Sequence, residues 1–272
     1  MTTTPAPAAN EATADHARAI DANALATHYR RFQVGERLLL TGHSHQAWPD
    51  VARDAQVRAW DDAAAHVDGK WDAAFAAAEA VKRGYAHLLG APDAPDDGAY
   101  TLAANTHELL VRLLSALDLR ARPRLVATDG EFHSLRRQLD RLAEAGLEIV
   151  DVPVDADGGP DTLAARLAAA VDDRTAAVFA SSVLFQTARI VPDLAIAAAA
   201  ARRVGAICVV DAYHALNVMP FPLAARDLGD AYVVSGGYKY AQLGEGCGVL
   251  RRPADCRLRP VVTGWFAAFA AL

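Results

Sequence analysis

The sequence has few cysteines, little net charge and no long apolar run. Its three cysteines, Cys208, Cys247 and Cys256, lack Cys-x-x-Cys spacing, which argues against a structural zinc site or a disulfide framework. The net charge of −6 gives no general attraction for nucleic acid or an anionic membrane. The most apolar run, residues 194–201, is far shorter than the roughly 20 residues that span a bilayer. We therefore expect a soluble cytoplasmic protein that binds neither nucleic acid nor membrane and holds no metal.

The chain divides by composition into three parts. Residues 1–20 are rich in Thr, Pro and Ala and lack the basic and apolar regions of a signal peptide, so we expect a disordered or helical leader. Helical periodicity over residues 51–66 and 73–89 predicts an N-terminal helical segment, residues 21–95, that contributes to the active site. Residues 96–272 are then expected to form one α/β domain.

In the α/β part, short apolar runs alternate with amphipathic stretches of helical length, which is the pattern of parallel βαβ units. The runs are apolar throughout, as expected for a mostly parallel sheet with helices on both faces. The predicted strands are residues 99–102, 124–128, 148–152, 176–180, 206–210, 231–234 and 247–250. The predicted helices are residues 106–119, 134–145, 161–171 and 192–204.

Two charged residues follow predicted strands directly, where a doubly wound sheet binds its ligands. Asp211 directly follows the strand 206–210, and His214 comes three residues later. A buried carboxylate there needs a cationic partner. The alternative is a structural role, as a helix N-cap or in a salt bridge. Lys239 follows two glycines and lies between Tyr238 and Tyr240. A desolvated lysine there would be an imine-forming nucleophile, whereas the alternative is an ordinary loop lysine.

Two further segments also follow strands. Asn105 and Thr106 open a helix, where free backbone N–H groups form a phosphate cradle, although simple capping would need the same residue types. Phe132 or His133 would stack on an aromatic ligand, or pack on the core instead. A phosphate cradle, a stacking ring, a strand-end Asp and a lysine together are what a pyridoxal phosphate (PLP) enzyme requires.

In these residues the sequence resembles the class V aminotransferase-like PLP enzymes of fold type I, and among them the kynureninases. The resemblance implies that Lys239 holds the cofactor, that Asp211 pairs with its pyridine nitrogen, and that Phe132 stacks on its ring. Further cofactor contacts are implied for Asn105, Thr106, His214, Tyr238 and Trp265. Substrate-side positions are implied for His43, Ser44 and His66.

Three departures accompany this resemblance. His133 replaces the family's proline, so the loop alternatively presents a stacking histidine, and Gly237 stands where a hydroxyl is frequent. The chain also ends at Leu272, where the family continues into a small domain, so we expect the large domain alone.

The resemblance implies a homodimer that hydrolyses the Cβ–Cγ bond of an amino acid, giving anthranilate and alanine from kynurenine. The alternatives are a class V aminotransferase or related PLP lyase, and an inactive truncated fragment that only binds the cofactor.

Overall fold

A computed structural model describes residues 22–91 and 98–264. Its centre is a seven-stranded sheet with the order β1-β7-β6-β5-β4-β2-β3. The strands are β1 Tyr100–Ala103, β2 Arg124–Thr128, β3 Glu148–Val152, β4 Thr175–Ser181, β5 Ile207–Asp211, β6 Tyr232–Gly236 and β7 Gly248–Arg251. Strands β2 to β6 pair in parallel, and β7 runs antiparallel to both β1 and β6. The predicted α/β fold with a mostly parallel sheet is confirmed.

Seven α-helices accompany the sheet in the described part of the chain. They are α1 Ala22–Ala26, α2 Asp50–His66, α3 Lys70–Leu88, α4 Thr106–Ser115, α5 His133–Glu144, α6 Pro160–Ala169 and α7 Ala195–Arg203. The predicted helix 106–119 is shorter in the structure: α4 ends at Ser115, and Asp118 accepts a hydrogen bond from the backbone amide of Ala121 in the turn that follows. None of these helices is long and apolar enough to cross a membrane.

Helices cover both faces of the sheet, and the strand side chains alternate between them. Val126 belongs to one apolar cluster, with residues of α3, α6 and α7, while its neighbours Leu125 and Ala127 belong to the other, with residues of α4 and α5. Each fully buried Leu or Val contributes roughly 1.5–3 kcal/mol. Burial on both faces explains why these strands are apolar throughout rather than alternating.

The N-terminal helices attach to this sheet through α3. Tyr85 and Ala86 of α3 are buried in the first cluster, whereas α2 packs against α3 and buries none of its own residues. The predicted boundary near residue 95 falls in residues 92–97, and the predicted leader 1–20 precedes residue 22, so both lie outside the described residues.

The strand register brings several strand ends to one edge of the sheet. Asp211 at the end of β5 lies opposite Ser181 of β4 and Val234 of β6. Gly248, the first residue of antiparallel β7, lies opposite Gly236 on one side and Ala103 on the other. The segments that follow β1, β2, β4, β5 and β6 therefore all leave the sheet at this edge, and they carry the predicted site residues Asn105, Thr106, Phe132, His214 and Lys239.

Candidate active site

Lys239 is buried among polar and aromatic groups at this edge. Its Nζ lies 2.7 Å from His214 Nε2, 4.9 Å from the centre of the Phe132 ring and 5.0 Å from that of Tyr213. Burial lowers the pKa of Lys239, and the charge of Asp211 acts in the opposite direction. A lysine with a lowered pKa has a larger neutral fraction, and the neutral amine is the form that attacks a carbonyl group.

Two glycines allow the chain to reach Lys239 from β6. A Cβ atom on Gly236 would lie 2.6 Å from the hydroxyl oxygen of Tyr213, and one on Gly237 would lie 2.5 Å from Cβ of Leu243. The amide of Gly237 donates to the carbonyl of Cys247 at 3.0 Å, which joins the turn to the chain entering β7. Any larger residue at either glycine would displace these neighbours and move the lysine.

Asp211 supplies the carboxyl group of the site. Its Oδ1 accepts a hydrogen bond of 2.8 Å from the backbone amide of Tyr213. Burial raises the pKa of Asp211 from 3.8 to about 7 and the charge of Glu131 adds to the rise, while the Tyr213 amide and Lys239 lower it. A carboxyl group held this way is stabilised by a positively charged partner.

His214 is held in its neutral form. Burial, and then the charge of Lys239, lower its pKa to about 4, while a hydrogen bond with the backbone of His43 opposes the shift. The neutral ring can accept a hydrogen bond from the lysine amine or ammonium through Nε2. The ring hydrogen is assigned to the other nitrogen, Nδ1, because Nε2 faces the lysine.

The loop that carries His43 and Ser44 reaches the site. Besides the contact between His43 and His214, the ring of His45 lies 5.9 Å from that of Tyr238, centre to centre, in an edge-on arrangement. The hydroxyl of Ser44 lies 2.9 Å from Nδ1 of His45. Residues 43–45 thus lie beside the lysine loop, and His45 was missed by the sequence reasoning.

The outcome differs for two other predicted residues. His66 is the exposed last residue of α2, and none of the contacts described for Lys239 and its neighbours involves it. Trp265 lies outside the described residues, whose last member is Gly264. Neither residue is therefore part of the geometry from which the function is argued.

The start of α4 lies next to β7 at the same edge. Asn105 caps the helix, since its Oδ1 accepts from the amide of Glu108 at 2.9 Å, and Thr106 is buried. A Cβ atom on Gly248 would lie 2.6 Å from the carbonyl carbon of Asn105, so only glycine fits there. Asn105 performs the capping that the sequence allowed, and the helix N-terminus still presents N–H groups and a partial positive charge.

Phe132 and His133 belong to a small aromatic cluster after β2. Phe132 is the N-cap residue of α5, and its ring lies 5.3 Å from that of His133 and 5.1 Å from that of Phe185. His133 is exposed. Of the two residues predicted as stacking candidates, Phe132 is the one whose ring faces Lys239.

Sequence reasoning missed a buried hydrogen-bonded group beside Asp211. Glu131 accepts from the Thr128 hydroxyl, the Ser181 amide and the Ser181 hydroxyl at 2.6, 2.9 and 2.8 Å. Both Glu131 and Ser181 stand at or just after strand ends, so the rule that selected Asp211 and Lys239 would have selected them too.

The comparisons with known proteins identify the family. The model named "Aminotransferase class-V" matches residues 68–266, which include every site residue from Asn105 to Lys239. The chain belongs to the class V aminotransferase family. No curated protein matches its sequence.

Solved structures share the class V fold at low sequence identity. A C-DES variant with glycine covalently linked to its PLP cofactor has a TM-score of 0.73 at 20% identity, covering 88% of this chain and 63% of that one. The cystine C–S lyase C-DES with its product cysteine persulfide has a TM-score of 0.67 at 22% identity, covering 82% and 60%. An apo cysteine desulfurase from Thermococcus onnurineus NA1 has a TM-score of 0.68 at 17% identity, covering 90% and 60%.

These likenesses confirm the predicted large-domain fold of the fold-type I PLP enzymes. The class V chain spans 63%, 60% and 60% of the three structures, which is less than two thirds of their length. Its activity, substrate and partners are therefore matters for proposal from its own residues.

Proposed function

We propose that this class V chain binds PLP through Lys239 and acts on an amino acid. The observation that carries the proposal is the position of the lysine amine, 2.7 Å from His214 Nε2 and 4.9 Å from the Phe132 ring centre, at the edge where Asp211 ends β5. Family membership supports this cofactor, and a C-DES structure of similar fold is described as carrying it.

The residues present fit a phosphorylated, positively charged aromatic ring. The Asp211 carboxyl has a pKa raised by burial and would pair with a protonated ring nitrogen. Phe132 would cover one face of the ring, and the N-terminus of α4 with Thr106 would bind the phosphate, with Tyr238 next to the lysine as a further contact.

The chain's own groups are arranged to move a proton at the substrate. When bound, PLP supplies an electron sink for carbanion chemistry on amino acids. Lys239, freed by the incoming amino group, would take the proton from the substrate's α-carbon and return it. His214 is neutral and accepts a hydrogen bond from Lys239 at 2.7 Å. It would therefore orient the lysine amine and keep one of the amine protons hydrogen-bonded. His43 and Ser44 would face the substrate.

For the reaction itself we propose kynureninase-like hydrolysis of a Cβ–Cγ bond. The support is the sequence of the site: the Asp211-x-x-His214 spacing, Phe132 ahead of α5, and Lys239 between two tyrosines. A second candidate is cleavage of a Cβ–S bond, because the structures of similar fold include a cystine C–S lyase and a cysteine desulfurase. Both reactions break a bond to the substrate's β-carbon, and transamination is the third outcome to be tested.

We also propose that the chain forms a homodimer in the cytoplasm. Three large apolar side chains of the N-terminal segment, Leu38, Leu40 and Trp60, are 85%, 74% and 72% exposed, and exposed apolar surface of this kind usually marks an interface. All three cysteines are free, which agrees with a reducing compartment. Sedimentation velocity of the purified chain tests the dimer.

The cofactor assignment is tested by borohydride reduction of the purified chain after incubation with PLP, followed by peptide mapping. The sequence contains only three lysines, Lys70, Lys82 and Lys239, so the modified residue can be read without ambiguity. We expect the label on Lys239 and its loss in Lys239→Ala, with Lys70→Ala as the control that keeps it. A label on Lys70 or Lys82, or an unchanged absorption band in Lys239→Ala, would refute the assignment.

The reaction is tested with a panel of substrates. Kynurenine would give anthranilate, which is detected by its fluorescence; cystine or cysteine would give persulfide or sulfide; transamination would convert added keto acid to amino acid. PLP bound at Lys239 with none of these products would leave the chain as a cofactor-binding fragment.

A further inference from the structure

The buried carboxyl group of Glu131 has no role in the function proposed above. It is 3% exposed and turns back from the loop after β2 into the sheet edge. Oε1 accepts from the Thr128 hydroxyl at 2.6 Å and the Ser181 amide at 2.9 Å, and Oε2 accepts from the Ser181 hydroxyl at 2.8 Å. Three donors that converge on one buried carboxyl group stabilise its ionised form.

Glu131 is coupled to both groups that would contact the cofactor ring. It directly precedes Phe132, so the bonds to Thr128 and Ser181 fix the backbone from which that ring projects. Ser181 lies opposite Asp211 in the parallel pairing of β4 and β5. The charge of Glu131 also raises the pKa of Asp211, which places the two carboxyl groups within electrostatic reach of each other.

The two buried carboxyl groups at this edge are each acted on by one cation. Among the described residues, the cations that act on the two carboxyl groups are Lys239 on Asp211 and Arg136 on Glu131. Arg136 already pairs with two carboxylates at the surface, those of Asp140 and Asp151. Asp211 thus has the Lys239 ammonium as its cation, whereas the cation that acts on Glu131 is already engaged by two other carboxylates, and burial raises the pKa of both buried groups. A ligand ring that carries its own positive charge would stabilise their ionised forms.

We propose that Glu131 is a positioning residue that acts with Asp211 to select a positively charged ligand ring. Glu131 holds the Phe132 ring in place through its bonds to the ends of β2 and β4, and its negative charge strengthens the affinity of the Asp211 position for a protonated ring nitrogen. This inference rests on the proposed binding of PLP.

The test compares PLP with deazapyridoxal 5′-phosphate, in which C–H replaces the ring nitrogen. Glu131→Gln removes the charge and keeps an oxygen acceptor for Thr128 and for the Ser181 amide, while its NH2 group would donate to the Ser181 hydroxyl, which can also accept. We expect it to reduce the preference for PLP over the deaza analogue about tenfold, the equivalent of one pKa unit. Asp129→Asn is the matched control, because Asp129 is an exposed carboxylate of the same loop whose Oδ1 bonds the amide of Val154. The control should keep the wild-type preference.

The readout is the ratio of two dissociation constants measured by absorbance titration, so it does not depend on turnover. A loss of affinity that is equal for both compounds in Glu131→Gln would show a structural role only and overturn the inference. If the wild-type chain binds neither compound, the proposed function itself fails. Thr128→Val removes the 2.6 Å donor without changing the shape of the side chain, and it should reduce the preference in the same direction. An unchanged preference in a folded Thr128→Val chain would also count against the inference.

Discussion

The Asp211 carboxyl group should make the stability of the cofactor-free chain depend on pH. Burial and the charge of Glu131 raise the pKa of Asp211 from its ordinary value of 3.8 to about 7. In an acid whose pKa is higher in the folded state, the folded chain keeps a proton that the unfolded chain has lost. The contribution of Asp211 is therefore fully present below pH 4 and is lost as the pH rises through 7.

The size of this loss follows from the two pKa values. One pKa unit corresponds to about 1.4 kcal/mol, so ionising Asp211 in the folded chain costs on the order of 4 kcal/mol between pH 4 and pH 7. That is a large part of the 5–15 kcal/mol by which domains are typically stable. His214 acts in the opposite direction, because its pKa is lowered to about 4 and stability increases as the pH rises toward its unfolded value of 6.5. The total pH profile therefore combines two opposing contributions.

The variant Asp211→Asn separates these two contributions to the pH profile, because it removes that of Asp211. The assay is urea unfolding of the wild-type chain and the variant without PLP, in half-unit steps from pH 4.5 to 7.5. We expect the free energy of unfolding of the wild type, minus that of the variant, to fall by several kcal/mol across this range. Asp230→Asn, at an exposed carboxylate, is the control and should show no such trend. Parallel curves for wild type and Asp211→Asn would refute the argument that burial raises the pKa of Asp211.

Phe132→Ala should weaken PLP binding by about 1–3 kcal/mol because it removes the ring that lies 4.9 Å from Lys239 Nζ. His133→Ala should weaken PLP binding less. Fluorescence titration that gave the reverse order would favour His133 as the stacking residue. Gly248→Ala should weaken PLP binding and lower stability, because its Cβ would lie 2.6 Å from the carbonyl carbon of Asn105. Gly229→Ala, where a Cβ meets nothing within 4 Å, is the matched control, and equal effects in titration and thermal unfolding would contradict the steric argument.

The parts of the fold that depend on local pattern could be predicted from the sequence. Strands β2 and β3 have the predicted bounds, because a short run of mostly apolar, β-branched residues between polar residues indicates a strand. Asp211 and Lys239 could be selected as site residues for the same reason. Parallel strands place such ends on a common edge, so their proximity followed from the fold class.

Features set by distant contacts could not be predicted in this way. The insertion of β7 between β1 and β6 depends on the pairing of Gly248 with both Ala103 and Gly236, which lie far apart in the sequence. Periodicity placed His66 on a helix but could not tell which groups that helix end faces. The inward turn of Glu131 depends on donors from β4 that a reading of single segments cannot see.

The position of β7 also determines when the active site can form. Strand β1 is the outermost strand on one side of the sheet and, among the described residues, pairs with β7 alone, although residues 100–103 are synthesised long before residues 248–251. On the ribosome, a nascent chain would therefore acquire the start of α4, Phe132 and Asp211 while β1 still lacks its partner. Helix α4 packs against β6 as well as β1 and β7, and the pairing of β7 with both strands fixes its start beside the lysine loop. The site is thus completed when a single antiparallel strand, synthesised after the lysine, joins β1 to β6.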